Sequence, residues 1–409
     1  MKKLFIVVAI FVSLNGFAQT ALHKLTNVKV ENLAGLRVEQ QRVVKSLPSN
    51  AVKPNGKSLA NVNEDANYYL DYVDLPYGLD FSTRSHIASK VEFGNDGKVF
   101  FPNMLYGDLF PDSKIVGTFD EAHEQITIEN GQKIGTLDGV NIVLCRAHVN
   151  VSDNNMSIDY DKDNPLVLKY DKGTEQIMVN DVEDSYLALF DENFQGCYAI
   201  ASSFNYIPAS FIPAPTIHDY SYVDYNWETH KGTVSMINMN IGNQEVIYIQ
   251  GLFTEQLKDN SDNVIADYGT SWLQAYVNEE GFVLPTLQTI APDIAIAMIN
   301  SNMQLYTGGI QFSYDQSTNE YVQSDEYQLC DVFSDGQNLG FTTTHSDSRI
   351  AKTGTSSIQN TVTNDESKEV VSTEYFDLSG RRINNIQKGA GIMVMKYIDG
   401  TSKAVKVVK

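Results

Sequence analysis

The sequence predicts an all-β protein: two tandem, similar antiparallel β-meander domains, each a barrel or a sandwich, and a small antiparallel β module at the C-terminal end. Three observations carry this prediction. The chain holds 22 Tyr and 19 Phe, mostly in short runs where Val, Ile, Tyr and Phe alternate with polar residues, the period of a strand with one buried face. The runs break at Asn95-Asp-Gly97, Glu129-Asn-Gly131, Asp171-Lys-Gly173 and Glu279-Glu-Gly281. Such breaks are hairpin turns, because Gly takes φ > 0 without strain. The order of runs and breaks also occurs twice. A closed barrel or a two-sheet sandwich hides the edges of such meanders. A propeller ranks lower, because no blade-length repeat of about 45 residues is present.

Residues 1–18 read as a signal peptide. Lys2 and Lys3 precede an apolar run from Leu4 to Leu14, and Gly16 and Ala18 offer the small side chains of a cleavage site before Gln19. The run is too short to span a bilayer, and no Cys follows it to carry a lipid anchor. Removing it leaves about 390 of the 409 residues, enough for two or three domains with sizeable cores. Residues 19–65 carry few aromatics and several turn signals. They read as an extended or partly disordered leader, with a helical turn or two around Glu39–Leu47.

The first copy spans 66–215 and the second 216–350. Lys114–Phe119 answers Ser271–Tyr276. Ile126–Ile128 with Gln132–Ile134 answers Phe282–Leu284 with Gln288–Ile290. Leu168–Thr174 answers Phe312–Thr318, and Tyr68–Tyr72 answers Tyr222–Tyr225. The spacing drifts, which places an insertion near Thr254–Tyr268 and a deletion opposite Ser152–Asn164. Loop-length changes of this kind cost little closure entropy. Residues 351–372 are a Ser/Thr/Asn-rich linker. In 373–409, Tyr375, Phe376 and Leu378 form a short strand, Ile392–Ile398 a second, and Lys403–Lys409 a third after the hairpin signal Asp399-Gly400. Lysines along that last strand blunt edge pairing.

Charge is uneven. Ser58–Ile350 holds 43 acidic and 12 basic residues; Thr20–Lys57 holds seven basic and two acidic. So acidic a body repels nucleic acid and anionic lipid, which disfavours both as partners. No later run is apolar enough for a transmembrane anchor. Cys145, Cys197 and Cys330 are too few for a disulfide framework. A Cys145–Cys197 bridge suits an oxidising compartment; three small buried thiols are the alternative.

Motifs for catalysis are absent: there is no His-Glu-x-x-His, nucleophile elbow, phosphate loop or dinucleotide fingerprint. Cys145 and His148 lie three apart on a strand and point to opposite faces. The body has so many acids that carboxylate pairs at glycosidase separation arise by chance. Asp159, Asp161 and Asp163 are the best metal candidates, as alternating acids whose loop could hold Ca2+. They fail as an EF-hand, since Asn164, Pro165 and Tyr170 stand where Gly, a flexible residue and Glu belong; a solvated turn is the competing reading. Tyr220, Tyr222, Tyr225 and Trp227, with His218 and Asp224 nearby, form the densest aromatic cluster. It is either a stacking platform for sugar or protein or the filling of a β core.

The tail resembles the type A C-terminal sorting domain that Bacteroidetes proteins use for type IX secretion. The residues that carry the resemblance are Asp377, Leu378, Gly380, Arg381, Arg382, Lys388, Gly389 and the Lys403, Lys406, Lys409 tail. Near Met393 the chain departs from the family's usual aromatic. The resemblance implies recognition by the outer-membrane translocon, removal of the module and frequent attachment to the cell surface. The body also resembles uncharacterised β-repeat modules of such proteins, through Tyr248-Ile-Gln-Gly-Leu252 and Trp272 in the second copy and Gly117 and Gly131-Gln132 in the first. The expectation is a secreted or surface-exposed, non-catalytic β protein without a cofactor, reaching the outer surface through the periplasm, with either a binding role toward glycan or a surface protein or a purely structural one. The alternative is an extracellular glycan or peptide hydrolase with dispersed carboxylates.

Overall fold

The computed structural model describes residues 28–29, most of 66–352 and strand segments between 370 and 408. The signal segment and nearly all of the leader lie outside the described residues. So do Asp377, Leu378, Gly380, Arg381, Lys388, Gly389 and Lys409.

Each copy closes into an eight-stave antiparallel barrel. The first runs through β1 (Tyr68–Asp74), β2 (Ser82–Ser89), β3 (Lys98–Pro102), β4 (Lys114–Asp120), β5 (Gln125–Ile128), β6 (Leu166–Tyr170), β7 (Ile177–Val179) and β8 (Cys197–Pro208). Each stave pairs with the next, and β8 returns to β1. Between β2 and β3 the ring is carried by Glu92–Phe93, which continues β2 and pairs with β3. The side-chain amide of Asn67 bridges the break: it donates to the Val91 carbonyl at 2.7 Å and accepts from the Val91 N–H at 2.8 Å, standing in for a peptide group.

The second barrel runs through β9 (Thr216–Val223), β10 (Thr229–Ile241), β11 (Gln244–Gln250), β12 (Trp272–Asn278), β13 (Gly281–Pro285), β14 (Gly309–Asp315), β15 (Glu320–Gln323) and β16 (Thr344–Ala351). Its ring is complete, from β9–β10 round to β16–β9. Barrels of eight strands are narrow enough for side chains to fill. Leu70, Phe101, Ile126, Leu168 and Phe204 fill the first; Ile249, Ala275, Phe282, Leu284 and Phe312 fill the second.

The repeat is a duplication of topology, excursions included. After β5, the first copy leaves the barrel through Gln132–Leu137, Val140–Ser152 and Asn155–Tyr160, then adds Tyr186–Asp191 beside β8. After β13, the second copy does the same through Thr289–Ala291, Ile294–Ile299 and Leu305–Tyr306, and adds Gln328–Ser334 beside β16. Gln132 and Gln288 begin the two excursions alike: each side chain bonds both the N–H and the carbonyl of a stave residue, Val116 or Gln274. The extra length in the second copy is the hairpin Gln256–Lys258/Val264–Asp267, inside the stretch expected to hold an insertion.

Pairing corrects the alignment of the copies in two places. Ile115 and Leu273 are both buried inward residues, so Lys114 answers Trp272 rather than Ser271. A slip of one residue turns every side chain to the other face. Likewise Leu70 lies opposite Tyr206, and Tyr220 lies opposite Ile350. Tyr72 therefore answers Tyr222, and Tyr68 answers His218. The Asp171-Lys-Gly173 turn also differs from expectation: its left-handed residue is Glu175 (φ 60°), matched by Asn319 (φ 59°) in the second copy. Asp171 accepts the Gly173 and Thr174 N–H groups, so Gly173 need not strain. Gly281 does carry the turn expected of it, at φ 153°.

The barrels meet along a seam where Tyr69, Ile207 and Phe211 pack with Ile237, Met239 and Tyr248. Trp272 pairs with Ser85 across it, and Thr83 donates to the Leu287 carbonyl at 2.8 Å. Residues up to Gly354 form one compact unit and residues from Thr355 a second. In the second unit β17 (Val370–Phe376), β18 (Arg382–Ile383), β19 (Ala390–Tyr397) and β20 (Ser402–Val408) make an antiparallel sheet ordered β18-β17-β19-β20. Arg382 lies on β18, and Lys403 and Lys406 lie on β20.

Candidate functional site

The β9–β10 hairpin gathers the aromatic cluster at one end of the second barrel. Tyr220 and Tyr222 share a strand face and stack at 5.5 Å. Tyr222 lies directly across from His230 in the register, and the two rings stack at 4.9 Å with 17° between planes. On its other side Tyr222 stacks on His345 at 3.6 Å, and His345 on Phe253 at 4.4 Å. The result is a pile of four rings: His230, Tyr222, His345, Phe253.

The polar edges of the pile are satisfied. A carboxylate can only accept, so His345 Nε2 donates to Glu255 at 3.4 Å and Nδ1 accepts from the Tyr220 hydroxyl at 2.9 Å. Tyr222 also donates to Glu255. Burial drives the His345 imidazole below its ordinary pKa, against the pull of Glu255. Burial alone would raise Glu255, but hydrogen bonding and charge from His345 leave it below its ordinary value. A Glu–His–Tyr series of this kind resembles a proton relay, yet His345 is 0 % exposed and Tyr220 4 %. The imidazole is sealed between two rings, so it orders the barrel end and cannot meet a substrate.

The duplication supplies an internal control. Where the second barrel has this polar pile, the first stacks Tyr72 on Phe204 at 5.6 Å, a pair without an imidazole. The polar version belongs to the second copy.

Beyond the pile, the chain turns through Asp224–Glu228. Asp224 Oδ1 accepts the N–H groups of Asn226 (2.8 Å) and Glu228 (2.9 Å), and Oδ2 faces His230 Nε2 at 3.0 Å. Burial opposes ionisation of Asp224, but these bonds outweigh it and hold its pKa below the usual range. Tyr225 is 46 % exposed and Trp227 79 %, the latter in left-handed backbone at φ 66°. The expected cluster thus divides: Tyr220 is core, Tyr222 is half-buried support, and Tyr225 and Trp227 stand at the tip in a turn. His218 is buried and bonds Thr216 and the Ala351 carbonyl. Sequence reasoning missed Glu228, His230, Glu255 and His345. Asp224-x-x-x-Glu228-x-His230, a turn leading into a strand, was the readable signal for the first two; Glu255 and His345 had none.

The acidic loop is occupied by its own donors. Asp161 is buried, with Oδ2 3.0 Å from His148 and 3.6 Å from Arg146, while Oδ1 accepts from Asp163 N and from the Asn164 backbone and amide. Its oxygens serve a capped turn, whereas Asp159 and Asp163 are exposed. The three do not converge as Ca2+ ligands. Cys145, Cys197 and Cys330 are buried free thiols, so the Cys145–Cys197 bridge is not formed.

Two other features lie away from this cluster. Asp71 lies at the seam and accepts from His86 N–H (2.7 Å), the Tyr248 hydroxyl and, more distantly, Gln274. Burial raises it to about 6, but it is sealed. An open groove of about 480 Å³ on the first barrel is lined by Tyr68, Phe93, Tyr170, Glu175 and Pro208, and brings no acid–base pair together. Among the described residues no helix is long and apolar enough to cross a membrane. No family model, curated protein or solved structure matches the chain.

Proposed function

We propose that this is an exported, non-catalytic β protein of the outer cell surface, whose second barrel binds glycan through the tip of the β9–β10 hairpin. One observation carries the reading: Trp227 and Tyr225 are held out to solvent on a short turn anchored by a buried stack. Large exposed aromatics on a rigid support offer flat contact area at little entropic cost. The carboxylates of Asp224 and Glu228 beside them can accept hydroxyl hydrogen bonds.

The hydrolase alternative needs an accessible acid with a perturbed pKa in a cleft. The described carboxyl raised furthest, Asp71, is buried at the seam, and the Glu255–His345 pair is closed by stacking. Export rests on the N-terminal signal pattern and on the tail motif read from the sequence.

A glycan array probed with the mature chain, its Trp227→Ala and Tyr225→Ala variants and a parallel hydrolysis assay tests the reading. Binding without turnover, lost in both variants, is expected; turnover in wild type, or binding that survives both substitutions, rejects it. Deleting 374–409 should retain the protein in the periplasm on fractionation, and unchanged surface delivery would contradict the assignment of the tail.

A further inference from the structure

We propose that Asp224, Glu228 and His230 form a binding site for a divalent transition-metal ion of the zinc class. One ligand atom from each of the three lies within 4.8 Å of the others. Zinc–nitrogen and zinc–oxygen bonds of about 2.0–2.2 Å set neighbouring tetrahedral ligands roughly 3.3 Å apart. Asp224 Oδ2 and His230 Nε2 are 3.0 Å apart, so two ligands already stand close to that separation. Glu228 is exposed and reaches the ion by rotating its side chain.

The imidazole separates this group from a solvated acidic patch. His230 is positioned by packing outside the trio: its ring lies on Tyr222, which lies on His345. Asp224 is fixed through its other oxygen by two backbone N–H groups. Supports of this kind orient ligands at metal centres. A nitrogen donor with two carboxylates selects a zinc-class ion over Ca2+ or Mg2+, which take six or more oxygens. The first barrel again serves as control: opposite Tyr72, where His230 stands opposite Tyr222, it carries Arg84, which offers no lone pair. The excess of acidic residues in the body, 43 against 12 basic, raises the local concentration of cations.

On binding, the neutral His230 imidazole presents its Nε2 lone pair to the metal and carries its one proton on Nδ1. Three protein ligands leave a fourth position for water or a donor from a bound partner. The site stands independently of what Trp227 stacks on, since neither Trp227 nor Tyr225 is among its ligands.

The test is calorimetric titration of the chelator-stripped mature chain with Zn2+, alongside the emission of Trp227 on the same turn. Wild type is expected to take up one equivalent with a change in Trp227 emission. His230→Ala and Glu228→Gln should each weaken uptake at least about tenfold, and Glu228→Gln, at an exposed side chain outside the stack, should leave the unfolding midpoint of the metal-free protein unchanged. His123→Ala, at an exposed pair with Asp120, should bind as wild type does. Absence of a stoichiometric Zn2+ site in wild type overturns the proposal, as does wild-type affinity in His230→Ala and Glu228→Gln.

Discussion

Replacing Asp71 with Asn keeps the shape of a group buried between the barrels and removes its ionisation. Burial lifts the Asp71 carboxyl from 3.8 to about 6, although bonds from Tyr248 and the His86 N–H pull the other way. A shift of that size corresponds to about 3 kcal/mol, at roughly 1.4 kcal/mol per unit. The folded value exceeds the unfolded one, so the protonated form is the stabilising form. Its contribution is fully present below 3.8 and is lost as pH rises through about 6. At neutral pH the wild-type chain therefore keeps a carboxylate where a neutral amide would cost less. The Tyr248 hydroxyl can turn to accept from the new amide. Urea unfolding of wild type and Asp71→Asn at matched pH values isolates this group from the other acids. The stability of the variant relative to wild type should rise by about 2.4 kcal/mol between pH 4 and pH 7.5, part of the full shift being lost already at pH 4. A difference that stays flat, or that falls with pH, would refute the desolvated setting assigned to Asp71.

Other consequences follow from single positions. His345→Ala removes the middle of the ring pile and leaves the Tyr220 hydroxyl only Ser348 at 3.4 Å and Glu255 without its imidazole partner; it should cost about 2–4 kcal/mol in chemical denaturation, and a cost under about 0.5 kcal/mol would contradict the stack. Gly281→Ala puts a Cβ 2.1 Å from the Phe312 carbonyl oxygen, whereas at Gly131 (φ 81°) nothing lies within 4 Å. The former should lower the melting temperature well beyond the latter, whose cost is backbone strain of about 1 kcal/mol. Burial pushes the Cys145 thiol up to about 12 and raises Cys197 and Cys330 as well. A thiol reagent should label the folded chain slowly and all three sites after denaturation, in non-reducing conditions; a thiol count that stays short in denaturant would indicate a disulfide.

What the sequence exposed follows from how local each signal is. Alternation such as Ile126-Thr-Ile128 marks a stave directly, because the pleat has period two, and the run order revealed the duplication. Sequence could not place the register: Trp272 stood where a one-residue slip looked equally aromatic, and only pairing with Ser85 and Gln250 fixes its face. Barrel closure was likewise hidden, since it depends on β16 meeting β9 across more than a hundred residues. In the candidate site, the hairpin residues from Tyr220 to Trp227 were visible as a cluster. His230 was passed over because metal-ligand pairs were sought at helical spacing, whereas here they come from a strand and the turn before it. His345 joins Tyr222 only through the closed ring. The Asp159–Asp163 loop misled for a related reason: alternating acids do not say whether they face a cation or, as Asp161 does, a set of N–H donors.

The most direct measurement compares Trp227→Ala with Phe93→Ala, a substitution in the groove of the first barrel, by calorimetric titration of a glycan that the wild-type chain binds. The account predicts that Trp227→Ala abolishes the binding heat and Phe93→Ala leaves it intact. Retained binding in Trp227→Ala with loss in Phe93→Ala would place recognition in the other barrel and contradict it.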